Sequence, residues 1–114
     1  FGFHGDGAAG NELDRADPLL GTPANALVVA RSENHTALYF VVNEEVLVNN
    51  PWIDGTNNPL VRADMVFYET SNGGAVFSVG SIAYTQSLAW NGYDNNVARL
   101  TGNVLKRFLD PTLF

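Results

Sequence analysis

The chain has 114 residues, of which 46% are hydrophobic and 16% are charged, and its formal net charge is −6. This composition excludes intrinsic disorder, and the length suits one domain with a core of its own. The acidic excess argues against a nucleic-acid partner, and no apolar run is long enough to span a membrane. The chain has no cysteine, which excludes disulfides, thiolate metal sites and a cysteine nucleophile.

The first residue is Phe rather than Met, and the opening residues 1–5 contain neither a basic nor an apolar segment. They do not resemble a signal peptide, so a cytoplasmic location is expected. We expect the chain to be a fragment, a processed product or an incomplete reading frame.

The first half of the chain is predicted to alternate between loops and short strands. Residues 1–25 favour a loop with one short helical turn. Residues 26–30 form a continuous apolar run, which predicts a strand buried on both faces, and residues 36–42 predict another strand. Residues 43–48 fit a helix or a strand, and residues 49–58 predict a loop.

The second half contains the clearest signals. Residues 64–69 and 75–79 predict two strands of a hairpin, because the Asn-Gly pair between them supplies the positive φ of a tight turn. Residues 81–90 predict a short helix or an irregular connection. Asp94 or Asn95 can cap a C-terminal helix near 94–109. Its apolar face is expected to contain Val97, Leu100, Val104 and Phe108.

Gly102 interrupts this helix, where a glycine is unfavourable, and close packing on a sheet would explain it. A sheet covered by the C-terminal helix is therefore the expected architecture, because the helix has one apolar face to bury.

Two weak chemical signals lie near the N-terminus. Residues 5–10 match the glycine spacing of a dinucleotide loop, but acidic residues follow directly, so an ordinary glycine-rich loop is the better interpretation. The same region holds a group of ionisable residues without a recognised metal-ligand spacing, and a solvated loop with an Arg15 ion pair is expected. Its members are His4, Asp6, Glu12, Asp14, Arg15 and Asp17.

Other candidate groups favour structural roles. His35 is interpreted as a surface residue at the start of a strand, and Ser81 and Ser87 lack the context of a nucleophile elbow. The aromatic residues are expected to be mostly core rather than a stacking platform for bases. They are Tyr39, Tyr68, Tyr84, Tyr93, Trp52 and Trp90.

Three stretches together carry a family resemblance. They are residues 7–15 (GAAGNELDR), 73–82 (GGAVFSVGSI) and 91–105 (NGYDNNVARLTGNVL). In this order and spacing they resemble the C-terminal end of the large subunit of the N,N-dimethylformamidase family. The resemblance implies an α/β fold, the last part of a class I glutamine-amidotransferase-like domain with a mixed sheet. The expected boundaries are a hairpin near 64–79 and a helix near 94–109, within a single domain over residues 1–114.

The resemblance also implies chemistry. The characterised member of the family hydrolyses a small tertiary amide to formate and dimethylamine, with one iron held by two tyrosines and a glutamate. By position in the family these ligands lie upstream of Phe1, so no cofactor or metal ligand is expected within this chain. Glu12 matches a family carboxylate near the iron, with an acid–base or supporting role. Asn11 departs from the family's usual Asp, and Asp14 and Arg15 resemble a structural pair.

Two functions of different classes follow. The chain is expected to be the C-terminal part of an amide hydrolase acting on a small amide, and to be inactive by itself. The alternative is a non-catalytic structural or oligomerisation module, whose exposed sheet edge or helix flank pairs with another copy. The expected partner is the rest of a parent chain or a second copy. A third possibility, a nucleotide-binding unit, depends on residues 5–10 alone.

Overall fold

A computed structural model describes residues 7–41 and 53–114 of the chain. The described residues combine a small β-sheet with a C-terminal helix, which confirms the mixed α and β composition. The elements in chain order are a 3-10 turn at Pro18–Leu20, β1 (Leu27–Ser32), β2 (Ala63–Glu69), β3 (Ala75–Ser78), α1 (Tyr84–Ser87), a 3-10 turn at Trp90–Tyr93, and α2 (Asn96–Leu109).

The predicted hairpin is confirmed as β2 and β3. Phe67 pairs with Phe77 in an antiparallel register, and the amide of Thr70 donates to the carbonyl oxygen of Gly74 at 2.8 Å. Gly73 has φ 76°, which a residue with a Cβ adopts only with strain. The Asn-Gly pair therefore marks the turn correctly.

The expected mixed sheet is wrong for the described strands. The sheet has the order β1-β2-β3, and both pairs of neighbours are antiparallel. A tight turn joins β2 to β3, and such a turn reverses the chain. A parallel pair requires a crossover of a dozen or more residues, usually through a helix, and the described segments supply none between these strands.

The burial predicted for residues 26–30 is also wrong, although the strand itself is confirmed. Leu27 is 61% exposed, Val28 38% and Val29 45%. β1 is an edge strand that pairs only with β2 among the described strands. Its apolar composition matches a buried strand, but the described residues provide no second layer to cover it.

Residues 36–41 do not continue as the predicted strand. The amide of Tyr39 donates to the carbonyl of Thr36 at 3.1 Å, and this bond turns the chain. Phe40 forms a single isolated bridge with Asp54. Residues 53–58 form the predicted loop, whereas residues 42–52, which include the ambiguous segment 43–48, lie outside the described part.

α2 begins and ends as the sequence predicts. The side chain of Asn95 accepts a hydrogen bond from the amide of Ala98 at 2.9 Å, which satisfies one of the free donors of the first turn. Val97 is buried, and Thr101 bonds to the hydroxyl of Tyr84 on α1 at 2.7 Å. The core prediction for the aromatic residues holds for Tyr84, whereas Trp90 is 53% exposed.

The C-terminal tail connects α2 to the sheet. The ring of Phe114 lies 5.7 Å from that of Phe67 on β2 and 5.4 Å from that of Phe108 on α2. The guanidinium of Arg107 lies 3.9 Å from the centre of the Phe114 ring. Aromatic and cation–π contacts of this kind each contribute about 0.5–1.5 kcal/mol.

Gly102 does not make the close sheet contact that its position suggested. A Cβ at this position would have no atom within 4 Å outside its own helix neighbourhood. We therefore expect Gly102→Ala to stabilise the chain by about 1 kcal/mol, because alanine favours the helix and restricts the unfolded chain. Urea denaturation followed by circular dichroism measures this change. A loss of stability would mean that something outside the described residues packs against Gly102.

Candidate functional site

Glu12 lies on a tight three-residue turn. The amide of Glu12 donates to the carbonyl oxygen of Gly10 at 2.8 Å, and the central residue Asn11 has φ 65°. A bond between residues two apart around a positive φ defines the γ-turn form that is rare and strained. Strained turns persist only where surrounding contacts hold them.

Two side chains from distant parts of the sequence hold the Glu12 turn. The hydroxyl of Ser81, which is 5% exposed, accepts a hydrogen bond from the amide of Gly10 at 2.9 Å. The same hydroxyl lies 2.7 Å from the carbonyl oxygen of Glu12, to which it donates. The hydroxyl of Tyr39 accepts a bond from the amide of Asn11 at 3.2 Å. The backbone amides of all three turn residues are therefore satisfied.

The chain after Glu12 is fixed between the ends of two strands. The amide of Asp14 donates to the carbonyl of Gly80 at 2.8 Å, and the amide of Asp64 donates to the carbonyl of Asp14 at 2.9 Å. Gly80 has φ 67°, and a Cβ at this position would lie 3.0 Å from the carbonyl oxygen of Asp14. Only glycine fits such a close approach of three backbone segments.

The carboxylate of Asp64 is the best-buried charge near this junction. Its side chain is fully buried, and it accepts bonds from Arg31 at 2.6 Å, from Arg62 at 3.0 Å and from the amide of Ala16 at 2.9 Å. Burial alone would raise the pKa of Asp64, but these three bonds stabilise the charged form and the net pKa is lowered. Asp64 therefore joins β1, β2 and the segment after Glu12.

Glu12 faces an open cavity of about 330 Å³, here called the Glu12 pocket. Its wall combines charged residues of the turn segment with apolar side chains from residues 38–41 and 60–61. Phe40 is 63% exposed and Leu38 85% exposed, while Val41 and Val61 are buried. The full lining is Asn11, Glu12, Leu13, Asp14, Arg15, Leu38, Tyr39, Phe40, Val41, Leu60 and Val61.

The other predicted residues take structural positions. Arg15 pairs with Asp17 at 3.0 Å rather than with Asp14, so an Arg15 ion pair is confirmed with a different partner. The hydrogen bond from Arg15 is the main reason that the pKa of Asp17 is lowered. His35 lies in the loop after β1, not at a strand start, with its Nε2 3.2 Å from the hydroxyl of Ser32.

The described residues offer no obvious metal or nucleotide site. Within segments 7–41 and 53–114, no group of three or more His, Asp or Glu could hold a metal ion. The described part of the glycine-rich segment continues into the Glu12 turn instead of the helix that a dinucleotide loop requires. None of the helices in these segments is long and apolar enough to cross a membrane.

Sequence comparison places the chain among known proteins. The family described as "N,N-dimethylformamidase beta subunit-like, C-terminal" matches residues 1–95. The chain belongs to this family. It is 47% identical over 108 residues to the N,N-dimethylformamidase beta subunit of Paracoccus aminophilus, and 45% identical over 108 residues to that of an Alcaligenes species. Each alignment covers 95% of this chain, and the chain spans 14% of the length of each relative.

Membership of the dimethylformamidase beta subunit-like family confirms the resemblance seen in residues 7–15, 73–82 and 91–105. Sequence reasoning missed Ser81 and Tyr39 as supports of the Glu12 turn. They lie 71 and 28 residues from their partners on the turn, so no local pattern marks either contact. Gly80, which directly precedes Ser81, has a positive φ that the sequence alone does not reveal.

Proposed function

We propose that the chain is the C-terminal part of an amide hydrolase of the dimethylformamidase type, with Glu12 as its acid–base group. The observation that carries this proposal is a carboxylate held on a strained, fully hydrogen-bonded turn beside a pocket with an apolar wall. Strain of this kind is concentrated at functional sites. A small amide with alkyl groups suits a pocket of about 330 Å³, which is at the small end of ligand cavities.

In the proposed reaction, water attacks the carbonyl carbon of the amide. A C–O bond forms and the C–N bond breaks, which gives a carboxylic acid and an amine. The Glu12 carboxylate accepts a proton from the water and returns it to the nitrogen of the departing amine. A single carboxyl group performs both transfers, so it ends in the state in which it began.

We further propose that this chain is the last part of a glutamine-amidotransferase-like domain and that the iron of the family is bound outside residues 1–114. The described residues contain no group of three or more His, Asp or Glu that could hold a metal ion. None of the tyrosines described here is proposed as a ligand. The activity is therefore expected from a longer polypeptide and not from this chain alone.

The test compares Glu12→Gln with Asp14→Asn in the natural full-length polypeptide. Both substitutions remove one exposed carboxylate from the same pocket. We expect kcat/KM for N,N-dimethylformamide to fall at least about 100-fold for Glu12→Gln and less than about threefold for Asp14→Asn, given the usual contribution of acid–base groups. Release of dimethylamine gives the rate.

A Glu12→Gln variant as active as the wild type would disprove the acid–base role. A wild-type polypeptide that hydrolyses no tertiary amide would disprove the hydrolase proposal as a whole. Hydrolysis by residues 1–114 alone would show that the chain is complete as a catalyst.

The second candidate function is a packing or assembly module, and the exposed apolar strand β1 favours it. The edge of β1 that no described strand pairs with, where Leu27, Val28 and Val29 are exposed, is a site for strand pairing.

Size-exclusion chromatography with light scattering tests this second candidate on the chain itself. The assembly function predicts a dimer or larger species that Val29→Lys converts to a monomer, because a charge on the edge opposes strand pairing. Thr70→Lys, at an exposed position in the hairpin turn, is the control. A strict monomer at high concentration would contradict the assembly function.

A further inference from the structure

We propose that Ser81 and Tyr39 are positioning residues that fix the place from which the Glu12 side chain leaves the chain, through the backbone of its turn. The inference rests on the proposed function, because it assigns these residues to the same site. Neither side chain is proposed to touch the substrate. Each acts on the turn that carries Glu12.

The hydroxyl of Ser81 closes the Glu12 turn from both ends. A hydroxyl has one proton to donate and two lone pairs that accept. At Ser81 the lone pairs accept from the amide of Gly10 at 2.9 Å and from the amide of Ala83 at 3.3 Å. The proton is directed to the nearer carbonyl oxygen, that of Glu12 at 2.7 Å, and the carbonyl oxygen of Gly10 lies 2.9 Å away. One buried atom therefore joins the first and last residues of the turn to the segment after β3.

The hydroxyl of Tyr39 holds the middle of the turn. It accepts the amide of Asn11, the residue with positive φ, at 3.2 Å. Gly10 also lies close to the hydroxyl oxygen of Tyr39, since a Cβ on Gly10 would be 3.2 Å from that oxygen. The ring of Tyr39 is set by the adjacent His35 ring at 5.1 Å, and the residue also lines the Glu12 pocket.

These contacts exceed what a surface loop needs for stability. Asn11 and Glu12 are both exposed, so water could satisfy their backbone groups if the turn relaxed. The structure instead uses a buried hydroxyl and an aromatic side chain to keep a strained conformation. The consequence is that the Cα–Cβ bond of Glu12, a residue that lines the pocket, leaves the backbone in one direction.

The experiment is a double-mutant cycle in the natural full-length polypeptide, with N,N-dimethylformamide as the probe. We expect Ser81→Ala to lower kcat about tenfold or more with KM changed less than about twofold, because a small misplacement of an acid–base group slows the chemical step. Tyr39→Phe keeps the ring and removes only the acceptor, so a smaller loss of about threefold is expected. Ser78→Ala and Tyr93→Phe, at exposed positions, are the matched controls and should retain the wild-type kcat.

The cycle separates positioning from a general structural role. If Ser81 acts through Glu12, adding Ser81→Ala to Glu12→Gln should change kcat by less than about twofold, since the group to be positioned is already lost. If Ser81→Ala lowers kcat equally in both backgrounds, the positioning role is wrong, and the hydrolase proposal stands. A fully active Glu12→Gln variant would instead disprove the acid–base role of Glu12, and a wild type that hydrolyses no tertiary amide would disprove the hydrolase proposal.

Hydrogen exchange gives a readout that does not depend on activity. In Ser81→Ala the amides of residues 10–12 should exchange at least about tenfold faster, while those of α2 keep their wild-type rates. Unchanged exchange at residues 10–12 would contradict the inference. If Ser81→Ala fails to fold, the same two measurements on Tyr39→Phe decide the question.

Discussion

Replacing Asp64 with asparagine should lower the free energy of unfolding by about 3 kcal/mol, because it leaves the largely buried charge of Arg62 without its described ion-pair partner. The Asp64 side chain is fully buried between Arg31 and Arg62, and the Arg62 side chain is itself only 15% exposed. Urea denaturation of the chain, followed by circular dichroism, measures the difference.

The matched control is Glu33→Gln, which removes the other, exposed carboxylate of Arg31. Glu33 lies 3.5 Å from Arg31, and its side chain is 54% exposed. Exposed pairs of this kind contribute about 0.5 kcal/mol, so the control should stay close to the wild type. Equal effects of the two substitutions would show that the Asp64 network is not a major source of stability.

The wild type and Asp64→Asn should also differ in how their stability depends on pH. The pKa of Asp64 is lowered in the folded state, so its contribution is complete above the ordinary carboxyl range and is lost as the pH falls through the lowered value. The wild type should therefore lose more stability than Asp64→Asn between about pH 5 and pH 2. The two curves would run parallel if Asp64 had an ordinary pKa in the folded chain.

Gly80→Ala is expected to have the second large effect. It should lower the free energy of unfolding by about 3 kcal/mol, through overpacking and backbone strain combined. The added methyl group would overlap the carbonyl oxygen of Asp64 and lie 3.0 Å from that of Asp14. Both atoms belong to the backbone and cannot move aside without breaking the bonds between these segments. We also expect the variant to lose the Glu12 turn, since Gly80 accepts the amide of Asp14.

The variant Gly92→Ala separates the effect of backbone strain from the effect of overpacking. Gly92 has φ 61°, similar to Gly80, but a Cβ there would meet no atom within 4 Å. Gly92→Ala should lower the free energy of unfolding by about 1 kcal/mol, because of the left-handed backbone conformation alone. Thermal unfolding of both variants gives the comparison, and equal losses would mean that crowding at Gly80 contributes nothing.

Elements with local signals could be predicted from the sequence. The Asn-Gly turn marks the β2–β3 hairpin, and the Asn95 cap together with the apolar spacing marks α2, because these signals act within a few residues. The burial of β1 could not be predicted, since an apolar strand has the same composition whether or not a second layer covers it. The arrangement of the sheet could not be predicted for a similar reason, because strand pairing depends on distant segments.

The residues of the candidate site also divide into those that a nearby sequence pattern marks and those that depend on distant segments. Glu12 is a candidate through its family stretch and not through its spacing to other residues. Asp64 lies in a stretch that predicts only a strand. Its ion-pair partner Arg31 lies 33 positions away in the sequence, so no local pattern marks the pair. The sequence around Ser81 lacks the pattern of a nucleophile elbow and gives it no other role. Its contacts with the Glu12 turn depend on where the chain after β3 runs.

The distance in sequence between Gly10 and Ser81 sets an order of events during synthesis. Ser81 is 71 residues later in the chain, so the Glu12 turn can close only after the hairpin has been made. At ordinary translation rates the early segment waits about 4–14 s for this partner. During that interval the turn lacks the bonds from Ser81, and Tyr39 is the only one of its two supports already synthesised. Glu12 therefore reaches its final orientation only after the hairpin has been synthesised, and a nascent chain that stops before Ser81 cannot assemble the site.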